Sequence, residues 1–313
     1  MPQRTLRIVA GIGDLAADDP TLLVATDLAR SCGAELHLVH ACQIPTWMTG
    51  PPGLAAAYPE ATRNYERMVV QALENAARAI PGGERAKLRV EQGPAAPVLA
   101  DAARELGADL LIVGAARGSR LGRALLGTTA QRVLREATVP VLVTRRPVTL
   151  PLHRVLVTGD LTPLSGAVHD RALSTITALF GDPGALRALV VLGWAITPPP
   201  LTPDAMVRAA RAELGTFLRE RVEAGPQAEP VVRVGPVADE IVDEARDWDA
   251  DLLVVGTHAR GWGDRMLLGS MAETTLRDAP CNVLAIPPRA TAAPREAAED
   301  DEPAGVPELV AAA

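Results

Sequence analysis

Short apolar runs alternate along this chain with longer stretches whose apolar residues recur at helical spacing. RIVAGI at 7–12, AELHLVHA at 34–41, a run ending at Gly93, DLLIVG at 109–114 and VPVLVT at 139–144 predict strands. Between them, TLLVATDLARSC at 21–32, residues 60–80, PAAPVLADAAREL after Gly93 and the stretch from Thr128 predict helices. The series then starts again. Strands are predicted at 154–159, 186–195, before Gly235, 251–256 and 281–286, with helices at 167–180, 204–224, within GPVADEIVDEARD and from Ser270. Each half therefore reads as five strands and four helices. Such alternation implies parallel strands joined by right-handed crossovers, and the unbroken apolar runs DLLIVG and DLLVVG mark strands buried on both faces.

The restart is a true repeat. ADLLIVGAARGSRLGRALLGTTAQRVLREATVPVLV at 108–143 recurs as ADLLVVGTHARGWGDRMLLGSMAETTLRDAPCNVLA at 250–285, at a constant offset of 142 residues that also relates Gly93 to Gly235. Duplication of a whole folding unit follows. It divides the chain into expected domains at 1–147 and 148–288 and a tail at 289–313, with Pro- and Gly-rich connections at 44–53 and 196–204 inside the halves. The fold class expected is α/β, with two tandem open parallel five-stranded sheets flanked by helices.

Composition narrows the function classes. The chain has 48% hydrophobic residues but only 3% aromatics, which suits helices packed on a buried sheet. Its net charge of −7 is concentrated at one end, where 290–313 contributes −5 and reads as a solvated, disordered acidic tail. With no broad basic face, nucleic acid is not an expected partner. Neither a signal-peptide core nor a membrane-length apolar run occurs, so no membrane partner is expected and a cytoplasmic location is. Cys32, Cys42 and Cys281 lack metal-site spacing and read as small buried hydrophobes in a reducing compartment.

The chemistry lies in the stretch after DLLIVG and DLLVVG. In an open parallel sheet, ligands sit at the carboxyl ends of strands where strand order reverses. There Gly114 and Gly256 end the strands, and Gly127-Thr128 and Gly269-Ser270 open the next helices. A residue without a side chain, exposed amides and the positive end of a helix dipole suit phosphate oxygens. Ordinary helix capping would use the same residue pairs. Arg260 and Arg265 in the second loop, like Arg117, Arg120 and Arg123 in the first, can neutralise phosphates or simply be solvated. His37 and His40 lack a third metal ligand at fitting spacing, and Asp109 and Asp251 are expected to cap the turns before their strands. Trp262 can stack on a ligand or cover the core edge.

An apolar strand ending in Gly, the loop Gly-x2-Gly-x9-Gly-(Ser/Thr) and a final PVLV-like strand resemble the universal stress protein family. The resemblance spans 5–288 as two tandem copies and includes the GPxxxxIxxxAxxxxADLLVVG stretch. It implies a Rossmann-like, adenine-nucleotide-binding sheet, with an Asp after the first strand near the adenosine and the glycines and Ser/Thr around the phosphates. In the second half, Asp160, Gly256, Gly269 and Ser270 match, while Ala259 replaces the second motif glycine and His258 and Arg260 flank it. In the first half, Gly114, Gly127 and Thr128 remain. Gly13 stands in the Asp position with Asp14 one residue later, and Arg117 replaces the second glycine.

The resemblance thus implies ATP, accompanied by Mg²⁺, held mainly in the second half by Asp160, Gly256, His258, Ala259, Arg260, Gly269 and Ser270, with a degenerate first site. No residue is placed as a general base, so slow hydrolysis at most is expected and no catalytic residue is assigned. An interaction protein of the same fold without nucleotide, its halves forming an internal pseudo-dimer, is the alternative. An ATP-consuming enzyme is a third. A homodimer of the whole chain also stays open.

Overall fold

A computed structural model describes residues 4–42, 59–115, 126–160, 162–193, 202–220, 228–257 and 269–287. The first half contains β1 (Arg7–Gly11), α1 (Pro20–Cys32), β2 (Glu35–Cys42), α2 (Pro59–Arg78) and β3 (Lys87–Gln92). α3 (Ala95–Glu105), β4 (Leu110–Gly114), α4 (Thr128–Glu136) and β5 (Val141–Thr144) complete it. The second half opens with β6 (Arg154–Gly159), α5 (Pro163–Phe180), β7 (Ala185–Leu192), α6 (Pro203–Arg219) and β8 (Glu229–Val234). It ends with α7 (Val237–Asp247), β9 (Leu252–Gly256), α8 (Ser270–Asp278) and β10 (Asn282–Ile286).

Local chemistry sets the helix ends. Asp19 caps α1 through Oδ1, which accepts from the Thr21 and Leu22 amides, and Pro20 occupies the first turn, where its missing N–H costs nothing. Gly33 closes the helix at φ 66°, a left-handed conformation that a side chain would strain. Thr162 and Thr202 cap α5 and α6 in the same manner, each before a proline. α5 therefore begins about one turn earlier relative to its strand than α1 does, since only three residues separate it from β6.

The two expected five-stranded parallel sheets are joined edge to edge. One ten-stranded sheet results, in the order β3-β2-β1-β4-β5-β10-β9-β6-β7-β8. Every neighbouring pair is parallel except β5 and β10, which pair antiparallel with Leu142 opposite Leu284 and Val143 opposite Val283. The carboxyl ends of the strands in one half consequently face away from those in the other. Within each half the order reverses once, between β1 and β4 and between β6 and β9.

Alternation along the central strands sends side chains into two cores. Ile8, Leu110, Ile112, Leu142, Leu252, Val254 and Leu284 pack under α1, α2, α5 and α6. Val9, Leu111, Val113, Val143, Leu253, Val255 and Val283 pack under α3, α4, α7 and α8. Both cores contain residues from both halves, so apolar burial is continuous across the central strand pair.

Polar groups close that pair at its two ends. Asn282, 1% exposed, accepts from the Arg145 and Arg146 amides at 2.7 and 3.1 Å and donates to the Arg146 carbonyl at 3.0 Å. Arg145 also donates to the Leu276 and Arg277 carbonyls. At the other end Arg171 of α5 donates to the carbonyls of Pro287 and Thr138, at 2.8 and 3.2 Å.

Candidate functional site

The site is built where β6 and β9 diverge. Asp160 follows β6 directly and is exposed; its Oδ1 accepts from the Thr162 amide at 3.2 Å and the Thr162 hydroxyl at 2.6 Å. Its own amide donates to Ser165 Oγ at 3.1 Å, and the Ser165 amide donates back to Thr162 Oγ1. The carboxylate is thereby fixed at the sheet edge beside the start of α5. Gly159 is required by this arrangement, because a Cβ there would lie 2.6 Å from Ser165 Oγ. Thr162 and Ser165 were not singled out from sequence, although Thr-Pro ahead of an apolar helix is a legible capping signal.

Across the crevice, Gly256 ends β9, and a Cβ on it would sit 3.3 Å from Val168 of α5. The next residue, Thr257, donates its amide to the Ile286 carbonyl at 3.2 Å. Gly269 is the N-cap of α8, and among the described residues no side chain caps that end. Its φ of −61° and ψ of 146° are extended, open to any residue, so backbone conformation does not demand glycine there. What glycine supplies is open access to the amides of Ser270 and the first turn, which helix geometry leaves without an intrahelical partner. The one acid of that turn, Glu273, reaches instead toward α4, with Gln131 at 3.4 Å and Arg135 at 3.7 Å. A carboxylate in the first turn would otherwise compete with an incoming anion. His258, Ala259, Arg260, Trp262 and Arg265 lie outside the described residues, as do Arg117, Arg120 and Arg123.

The corresponding edge of the first half differs. Gly13 and Asp14 are exposed, and a Cβ on Gly13 would meet nothing within 4 Å. The acid that matters structurally is Asp19, 5% exposed, which caps α1. Behind it Thr21 Oγ1 lies 3.1 Å from Thr144 Oγ1, and Thr144 Oγ1 lies within 3.3 Å of the Val113 carbonyl. A Cβ on Gly114 would fall 2.7 Å from Thr21 Oγ1. The floor of this crevice is thus lined by the protein's own hydroxyls. In the second half Val168 and Ile286 occupy the equivalent region. Gly127 still caps α4 without a side-chain bond, at φ −68° and ψ 153°, and Thr128 is exposed at the helix start.

Three other groups are structural in their contacts. Asp109 and Asp251 do not cap the preceding turns, as expected from sequence. They reach to the start of the neighbouring strand, where Asp109 accepts from the Arg7 amide and Asp251 from the His153 and Arg154 amides. Parallel pairing leaves those strand-start amides without a ladder partner, and a carboxylate one strand away satisfies them. His37 Nε2 lies 2.6 Å from Glu35 Oε1 and His40 Nδ1 2.7 Å from the Ile12 carbonyl. Among the described residues no three potential ligands gather for a metal.

All three cysteines are free thiols, and burial pushes Cys281 up to about 11. Its raised pKa keeps it a neutral thiol at pH 8, with roughly one part in a thousand ionised. We expect a thiol-reactive disulfide reagent at pH 8 to leave Cys281 unlabelled in the native protein and to label it in urea, as read by mass spectrometry of the modified peptide. Rapid native labelling would show that the central strand pair opens readily.

With this geometry in place, comparison with known proteins decides the family. The universal stress protein family model matches residues 5–145 and again 151–287. The chain belongs to the universal stress protein family. A universal stress protein of Mycobacterium tuberculosis is 30% identical over 243 residues, covering 75% of this chain and 80% of the relative. One from Mycolicibacterium smegmatis is 26% identical over 307 residues, covering 90% and 97%. Among solved structures, a universal stress protein of Pseudomonas aeruginosa shares the fold with a TM-score of 0.63 at 21% identity, covering 92% of this chain and 95% of that one. Another from Archaeoglobus fulgidus gives 0.54 at 17% identity, covering 90% and 96%. Among the described residues of this universal stress protein, no helix is long and apolar enough to cross a membrane.

Proposed function

We propose that this universal stress protein is a cytoplasmic adenine-nucleotide-binding protein whose second half holds ATP. One observation carries the reading: Asp160 and the uncapped start of α8 stand at the same strand-order reversal, between β6 and β9. Asp160 would face the adenosine side. The amides after Gly269, with Ser270, would take phosphate oxygens, and Gly256 would let the ligand approach the end of β9. His258, Ala259 and Arg260 complete the proposed set by sequence. Mg²⁺ would accompany the triphosphate and offset its charge. No residue in this set is positioned as a general base, so the proposed role is binding, in a stress-response or signalling setting, rather than turnover.

A thermal unfolding series with Mg-ATP tests this. Ligand at about a hundred times its dissociation constant adds roughly 2.7 kcal/mol, a rise of several degrees in the midpoint. An unchanged midpoint at millimolar ATP, in protein freed of co-purified nucleotide, would sink the binding hypothesis. It would favour the second reading, an interaction protein whose 1–147 and 148–288 domains form an internal pseudo-dimer. The antiparallel β5–β10 pair is the observation that supports that alternative.

A further inference from the structure

We propose that the first half carries a second ligand site, for a compact apolar molecule bearing one carboxylate, at the amino ends of β1 and β2. It does not depend on the nucleotide reading. A cavity of about 460 Å³ lies there, between the last turns of α1 and the turn at 81–86 that leads from α2 into β3. That volume is in the range of small-molecule pockets. Because β5 and β10 run antiparallel, the cavity opens on the same edge of the sheet as Asp160, five strand spacings away between β1 and β6, roughly 24 Å.

Its floor is apolar, with Ala29 and Leu36 buried and Ala86 half-buried beside them. Two glycines keep it open. Gly33, at φ 66°, has nothing within 4 Å of where a Cβ would stand. Gly82, at φ 92°, would put a Cβ 3.6 Å from Thr26 and 3.8 Å from Arg30, into the gap between the turn and α1; side chains are strained at both conformations. The second half builds this corner differently. Its turn between α5 and β7 has four residues, 181–184, against two, 33–34, and a Cβ on Gly184 would lie 3.1 Å from the His153 carbonyl.

The charges around the cavity select the ligand. Glu35 Oε1 is already engaged, 2.9 Å from Lys87 Nζ and 2.6 Å from His37 Nε2, and Glu84 accepts the Gly82 amide at 2.9 Å. The negative end of α1 is matched too, since the Gly33 and Ala34 amides both bind the Ala29 carbonyl and Arg30 sits in the last turn. Arg30 itself pairs with Asp27 at 2.8 Å. Arg85 is held far more loosely. Its side chain is 89% exposed, and its one ion contact among the described residues is Glu84 at 3.9 Å. A guanidinium with its fork open, lining a cavity with an apolar floor, suits a carboxylate on an apolar body.

Calorimetric titration of the full chain with naphthoate tests the site, with naphthamide as the uncharged isostere. One saturable site is expected for the acid, with the amide about tenfold weaker. Arg85→Glu, at a position too exposed to threaten folding, should weaken the acid about tenfold or more. Ala86→Trp should fill the cavity and remove binding, and Arg85→Glu keeps the test decisive if that variant is unstable. Gly269→Val should bind the acid as the native chain does. Absence of saturable binding at millimolar acid, equal affinity for acid and amide, or an acid affinity unmoved by Arg85→Glu would each overturn the proposal. Loss of acid binding in Gly269→Val would overturn it by placing the probe in the second-half crevice.

Discussion

Asn282→Ala is expected to lower the stability of the chain by about 3 kcal/mol, read as a shift of the urea midpoint. The amide of Asn282 is 1% exposed and serves three backbone groups, the Arg145 and Arg146 amides and the Arg146 carbonyl. Alanine removes all three bonds at once. Each is worth about 1 kcal/mol net, and groups left buried without a partner cost more. The bonds also close the central pair where β5 leaves the sheet, so their loss exposes apolar surface that both cores share. Gln131→Ala is the control, since it removes one bond of 3.4 Å between α4 and α8; a change within about 0.5 kcal/mol is expected there. If the two variants proved equally mild, the polar clamp would not be a determinant of how the halves hold together.

Gly269→Val should abolish the ATP-induced thermal shift, whereas Gly127→Val should leave most of it. Both glycines have extended backbone, which valine adopts freely, so loss of ligand response can be separated from loss of fold. Valine is a poor N-cap, and a penalty of about 1 kcal/mol or less is expected at either position without ligand. The branched side chain would stand over the amides after Gly269, where the proposed phosphates approach. Retention of the shift by Gly269→Val together with its loss in Gly127→Val would place the nucleotide in the first half instead.

Much of the architecture was legible because buried parallel strands leave an unambiguous mark. DLLIVG and DLLVVG are apolar on both faces, and the structure puts Leu110 and Leu111, or Leu252 and Leu253, into opposite cores. Helix ends were less legible: α5 starts at Pro163, four residues before the predicted 167, because Thr162 caps it. Apolar periodicity records which face is buried and says little about where capping begins the helix. The two sheets join through their final strands, 139–144 and 281–286, edge candidates that could be expected to pair within the chain. The sequence does not announce the clamp on that pair, Asn282, which the repeat aligns with Pro140 at the 142-residue offset. A polar residue replacing proline in an otherwise matching strand looks like drift until its three backbone partners are seen. At the candidate site, Asp160, Gly256 and Gly269 could be found by matching a motif, but Thr162 and Ser165, which fix Asp160, could not. Their roles arise from a turn, and a motif built on ligand contacts omits them. The contact of Thr21 with Thr144 at the first crevice joins residues 123 apart, a distance across which sequence pattern carries no signal.

The antiparallel joint between β5 and β10 has a consequence for how such a chain diverges after duplication. The two reversal points face opposite ways, so each presents its own surface at its own end of the sheet. One end now carries an exposed Gly13 over the Thr21–Thr144 contact and the far end carries Asp160, while both keep a helix start with no side-chain cap. Inheritance from one ancestral unit has given the molecule a head and a tail.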